Sequence, residues 1–125
     1  NPIRDLSPFI KLKNIKRLDL SSTDIEDISS ISHLLKLQYL SLGYTKIKNI
    51  APLSGLINLK ELWLGDTDVT TIKSLFGLKL ENLILNNDNV ADDEVFNFVK
   101  MHPSCRVYFK GKAYNDKKAN IDLPF

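Results

Sequence analysis

Residues 34–53 read LLKLQYLSLGYTKIKNIAPL, and the spacing of Leu34, Leu37, Leu40, Leu42, Thr45, Ile47, Ile50 and Leu53 within them returns along the chain. The core Leu40-Ser41-Leu42 is preceded by Leu18-Asp19-Leu20 and followed by Leu62-Trp63-Leu64 and Leu83-Ile84-Leu85, at offsets of 22, 22 and 21 residues. A fixed period of this size marks a supersecondary unit that cannot bury its own apolar face and stacks on copies of itself. The chain therefore reads as a short solenoid. Such a fold offers one continuous, repeatedly decorated surface and rarely an enclosed reaction pocket, so the repeat points to binding ahead of catalysis.

Laid over one another, the frames align in columns: Leu12, Leu34, Leu56, Leu78; Ile15, Leu37, Leu59, Leu80; Ile3, Ile25, Ile47, Val69, Val90; Leu6, Ile28, Ile50, Ile72; and Phe9, Ile31, Leu53, Leu75. These are the inward positions. Each fully buried side chain contributes roughly 1.5–3 kcal/mol to stacking, offset by the entropy of ordering the chain.

Leucines at alternate positions point the same way in an extended chain, so each frame contributes one short strand. Strands joined by a return path through the same frame run parallel, about 4.8 Å apart, and build a sheet along one wall. On the return path the apolar residues stand three apart (Ile25, Ile28, Ile31, Leu34), which suits turns and short 3₁₀ segments. Pro8, Ser30, Pro52 and Ser74 share one column, where proline suits the start of a helical turn. Thr23, Thr45 and Thr67 form a polar column at the strand exits, with Asn1 one period earlier. Their side chains are expected inward, satisfying backbone groups that leave the ladder.

After Asn89 the pattern stops. Asp92-Asp93-Glu94 precedes Val95, Phe98 and Val99 at helical spacing, and Pro103 ends the segment. This predicts a terminal helix with acids in its first turn and Asp92 as N-cap. Arg106-Val107-Tyr108-Phe109 then reads as a last strand beside Leu83–Leu85, and helix and strand together cap the core. The organisation is thus repeats over 1–90, the first one truncated, a cap over 91–109, and a polar, basic tail over 110–125 that ends in Ile121, Leu123 and Phe125. At the other end Ile3, Leu6 and Phe9 are expected to meet solvent, which suggests missing upstream repeats or an end-to-end contact.

With 125 residues, 43% of them hydrophobic, the chain suits a single core. Seventeen Lys and Arg against fifteen Asp and Glu leave a formal charge of +2, far from the basic excess of a protein dedicated to phosphate backbones. The one cysteine, Cys105, makes no intramolecular disulfide, which fits a reducing compartment or a bacterial origin. No apolar run has the length to cross a bilayer. The compartment stays open between secreted, cell-surface and intracellular.

The pattern from Leu34 to Leu53 resembles the 22-residue leucine-rich repeat of bacterial internalin-type proteins, over residues 1 to about 90. The resemblance implies a curved, right-handed α/β solenoid, a leucine-rich repeat fold with a parallel β-sheet on its concave face, turns and 3₁₀ segments on its convex face, and a helix plus strand cap. It also implies binding of another protein on the concave side. Two departures stand out: the ladder column is Thr where internalin repeats usually carry Asn, and no immunoglobulin-like module follows the repeats. Instead, Val90-x-Asp92-x-x-Val95 through His102-Pro103-x-Cys105-x-Val107 is similar to the closing segment of other bacterial leucine-rich repeat proteins. These departures bear on the partner and leave the fold intact.

Residues flanking the buried leucines face outward from the sheet in two rows: Arg17, Tyr39, Glu61, Asn82, and Asp19, Ser41, Trp63, Ile84. Tyr39 and Trp63 lie on adjacent strands with Tyr44 near a strand exit, and aromatics in the middle of a face are the residue types that anchor interfaces. The candidate partner-binding set is Tyr39, Trp63, Tyr44, Arg17, Glu61 and Ile84. The competing account is that the aromatics shield the sheet and that the mixed charges, with Lys60 and Glu81, are a solvated surface.

Asp66, Asp68 and Asp88 with Asn86, Asn87 and Asn89 crowd the strand exits and carry oxygens of the kind calcium takes, yet these are also the usual turn residues. His33, His102 and Cys105 have no zinc-ligand spacing, no glycine-framed nucleophile exists, and the five glycines form no phosphate loop. No metal, cofactor or catalytic residue is assigned. Lys110, Lys112, Lys117 and Lys118 interleave with Tyr108 and Tyr114, a pattern compatible with single-stranded nucleic acid but diluted by Asp116 and Asp122. The sequence thus favours a non-enzymatic module that binds a partner polypeptide on its concave sheet, with neither nucleic acid nor membrane as partner. The alternative is a structural segment of a longer leucine-rich repeat protein whose binding surface lies upstream.

Overall fold

A computed structural model describes residues 6–87 and 89–116. Asn1, Ile3, Asp88, Lys117, Lys118, Ile121, Asp122, Leu123 and Phe125 lie outside the described residues. Four strands of three residues recur at the repeat period: β1 (Arg17–Asp19), β2 (Tyr39–Ser41), β3 (Glu61–Trp63) and β4 (Asn82–Ile84). They pair in parallel with Leu18, Leu40, Leu62 and Leu83 in register, and a fifth strand, β5 (Arg106–Phe109), adds parallel to β4. The ladder runs past the strands, because Leu42 N donates to Trp63 O and Tyr44 N to Gly65 O, both at 2.9 Å. The coils approach closely there: a Cβ on Gly43 would stand 3.3 Å from Gly65 O, tighter than ordinary contact.

The return paths carry 3₁₀ turns at Ser7–Lys11, Ser29–Ile31, Ala51–Leu53 and Lys73–Leu75, with Pro8 and Pro52 as the second residues of the first and third. Proline fits there because its missing N–H has no helical acceptor. The columns of apolar residues fill one core, in which Leu34, Leu37, Leu40, Leu53, Leu62 and Leu75 are fully buried. The threonines point inward as expected. Thr23, Thr45 and Thr67 Oγ1 donate to Leu20, Leu42 and Leu64 O at 2.7, 2.7 and 2.9 Å, satisfying carbonyls where the strand bends. Three residues past the ends of β1, β2 and β3 the backbone turns left-handed, at Ser22, Tyr44 and Asp66 (φ 58°, 58° and 56°).

Helix α1 (Asp92–Met101) packs Val95, Phe98 and Val99 onto the last coil. Ala91, not Asp92, is its N-cap. The Asp92 carboxylate instead accepts Lys110 Nζ at 2.7 Å, and Ala91 O takes the Val95 amide. Glu94 reaches back to the repeats, where its Oε1 accepts Ile72 N at 2.6 Å and Thr71 Oγ1 at 2.7 Å. The helix is thereby tied to the final 3₁₀ turn. His102 packs its ring on Phe98, with centroids 4.1 Å apart, and Nε2 lies 2.7 Å from Phe76 O.

Two further features depart from the sequence reading. The chain does not enter a tail after Phe109: Lys110 and Gly111, both at positive φ (51° and 78°), turn it into β6 (Lys112–Tyr114), antiparallel to β5. That left-handed pair is the hairpin turn whose twist matches the flanking strands. Tyr114 is buried beside Phe96, and Asn115 Nδ2 donates to Val99, His102 and Cys105 O at 3.0, 3.0 and 3.1 Å. At the other end, Leu12 is 47% exposed although its column is otherwise buried, because among the described residues no coil lies beyond the first. Leu6, expected at solvent, is 2% exposed and belongs to the same core as Leu18 and Leu20; Phe9 and Ile15 are half-buried against that core.

Candidate functional site

The parallel register lines up the outward residues of the five strands. One row reads Arg17, Tyr39, Glu61, Asn82, Arg106, and the other reads Asp19, Ser41, Trp63, Ile84, Tyr108. Because neighbouring strands are about 4.8 Å apart, each row is a string of side chains in contact range. Trp63, Ile84 and Tyr108 form an uninterrupted apolar and aromatic stripe at the C-terminal end of the second row. With Glu61, Asn82, Asn86 and Arg106 they line an open groove of about 520 Å³.

The groove is partly organised. Trp63 is 41% exposed, and its indole Nε1 donates to Glu61 Oε2 at 2.7 Å, while Asn82 Nδ2 lies 3.5 Å from Glu61 Oε1. Glu61 thus fixes the ring by its polar edge and leaves its faces open. On the other half of the sheet the Arg17 guanidinium stacks 4.2 Å from the Tyr39 ring centroid. Asp19 Oδ1 accepts Ser21 Oγ at 2.6 Å and Ser21 N at 3.0 Å, and these bonds hold its carboxyl below the usual carboxylate range.

Of the residues singled out from sequence, Trp63, Glu61 and Ile84 are brought together in the groove. Arg17 and Tyr39 stand beside it as a stacked pair. Tyr44 stands apart at the rim, 68% exposed, on a left-handed residue beyond the end of β2. Arg106 and Tyr108 were not among the candidates, although their alternation with Val107 in the expected last strand carried the signal.

The other constellations dissolve into structure. Asn87 Nδ2 donates to Thr67 O and Val69 O, and its Oδ1 accepts Asn89 N, so these amides build the turn. Among the described residues no three His, Cys, Asp or Glu side chains gather where a metal ion would sit. Among the described residues the interleaved lysines and tyrosines are divided between different surroundings: Lys110 pairs with Asp92, Tyr114 is buried and Tyr108 lies in the groove. Cys105 is buried beneath the cap, and burial pushes its thiol up to about 12. Among the described residues no helix is long and apolar enough to cross a membrane.

Residues 35–77, spanning two strands of the sheet and the turns between them, match the family of leucine rich repeats (2 copies). The chain is a leucine-rich repeat protein with internalin-like repeats. Its fold is similar to that of an internalin, inlF, from Listeria monocytogenes, with a TM-score of 0.80 and 25% identity over 87% of this chain and 32% of that one. Internalin C2 from the same species gives a TM-score of 0.77 and 33% identity over 86% of this chain and 46% of that one. A leucine-rich repeat protein from Leptospira interrogans gives 0.77 and 29%, over 87% of this chain and 29% of that one. The chain therefore spans less than half the length of each. No curated protein matches it in sequence. Leucine-rich repeat domains of this kind are generally protein-interaction modules and typically non-enzymatic.

Proposed function

We propose that this leucine-rich repeat domain recognises a partner polypeptide on its concave sheet, with the contact centred on Trp63 and running from Tyr39 through Ile84 to Tyr108. The observation that carries the reading is the in-register stripe of Trp63, Ile84 and Tyr108, whose large apolar surfaces face the groove instead of the core. Rigid aromatics lose little entropy on binding, and a ring already oriented by Glu61 loses less still. Arg17 and Tyr39 extend the surface, and Tyr44 forms its rim.

The test uses peptides selected against the immobilised domain from a displayed random library. For a hot-spot residue, Trp63→Ala weakens the selected binders by about 30-fold, equivalent to about 2 kcal/mol, with an unchanged unfolding midpoint. Ile57→Ala, on a residue 73% exposed on the return path, leaves them unaffected. Binders that ignore Trp63→Ala and respond to Ile57→Ala put the contact on the convex side and refute this reading.

A further inference from the structure

The sheet's two outward rows carry four charged side chains, and three of them are already engaged. Arg17 lies over Tyr39, Asp19 holds Ser21, and Glu61 accepts from Trp63 and Asn82. The Arg106 side chain, exposed at the end of the first row, has no hydrogen bond, ion pair or ring contact among the described residues, although its backbone N–H donates to Glu81 O at 2.9 Å. The Asn86 side-chain amide, also on the groove wall, is likewise unengaged. An apolar stripe with a guanidinium beside it that no side chain of the domain engages is a surface that offers a ligand one cationic contact.

We infer that the groove takes an acidic polypeptide segment, one that lays a large apolar side chain across Ile84 between Trp63 and Tyr108 and sets an Asp or Glu carboxylate on Arg106. This rests on the concave sheet being the contact surface. A guanidinium presents its N–H groups as a fork that a carboxylate matches with two parallel bonds, which gives position as well as attraction. Glu61 supplies the polarity of the site. It lies two strands from Arg106, about 10 Å along the row, and its negative charge disfavours a second anion at the β3 end. The carboxylate is thereby directed to the β5 end. A single guanidinium supplies one positive charge, which a singly charged Asp or Glu carboxylate matches, whereas a dianionic phosphate would keep an uncompensated charge facing Glu61.

The experiment selects peptides from a displayed random library on the wild-type domain and, separately, on Arg106→Glu, then measures the affinity of each for wild type, Arg106→Gln, Arg106→Glu and Trp63→Ala. Thermal unfolding of every variant confirms that it folds. Wild-type binders are expected to carry an acid within a few residues of an aromatic or branched aliphatic, to weaken about tenfold on Arg106→Gln and further on Arg106→Glu, and to weaken as salt rises. Peptides selected on Arg106→Glu are expected to carry Lys or Arg instead. Binders with no acidic preference that keep their affinity on Arg106→Gln but lose it on Trp63→Ala overturn the acidic-segment inference and leave the concave surface standing. Binders that ignore both substitutions remove the surface itself. Enrichment of basic peptides on wild type, pairing with Glu61, also overturns the inference, as does concentration-dependent dimerisation abolished by Arg106→Glu.

Discussion

Asn115 closes the capping hairpin against the helix, and its removal has a cost that follows from its bonds. Its amide has two N–H groups and faces three backbone carbonyls, those of Val99, His102 and Cys105, at 3.0–3.1 Å. Val99 lies in the last turn of α1, where carbonyls have no intrahelical donor. Two net hydrogen bonds contribute about 2 kcal/mol, at roughly 1 kcal/mol each. The backbone at Asn115 is left-handed (φ 60°), a conformation Asn tolerates and Ala adopts at about 1 kcal/mol. Asn115→Ala is therefore expected to lose about 3 kcal/mol, and Asn115→Gly, which removes the amide and keeps the turn, about 2 kcal/mol. Urea unfolding followed by circular dichroism reads both as lower midpoints at constant slope. A midpoint for Asn115→Gly within about 0.5 kcal/mol of wild type would show that the amide holds nothing. An Ala variant as stable as the Gly variant would refute the backbone part of the reasoning.

The threonine ladder and the buried thiol give two further expectations. Thr45→Val keeps the shape and deletes the 2.7 Å bond to Leu42 O, leaving a buried carbonyl short of a donor, and is expected to cost about 1–2 kcal/mol in the same urea assay. An unchanged midpoint would remove the ladder's structural role. Cys105 has its thiol raised from 9.0 to about 12, so the unfolded chain ionises first as pH rises. Its contribution is intact below pH 9 and lost between there and 12. Between pH 8 and 10 the wild type is expected to lose about 1.4 kcal/mol more than Cys105→Ala, a difference that cancels the titration of other groups. Parallel pH profiles would sink this.

The repeats were legible because each apolar column is written several times over. Leu40 between Leu18 and Leu62 leaves one register in which strands pair and leucines meet. Trp63, Glu61 and Ile84 followed from the same alternation. Arg106 and Tyr108 obey it too, but they belong to a strand outside the repeat, so no column drew attention to them. The cap was half legible: helical spacing gave α1, whereas its N-cap depended on Lys110, 18 residues away, taking the Asp92 carboxylate.

The sequence by itself determined the coil, its inward columns and the two outward rows, since side-chain periodicity is local and four frames repeat it. Tertiary structure alone decided how the stack ends and where its surface is unspent. The β6 hairpin, the Asn115 bond to three carbonyls and the unengaged Arg106 side chain all depend on groups distant in sequence meeting once, and a contact made once leaves no period to read.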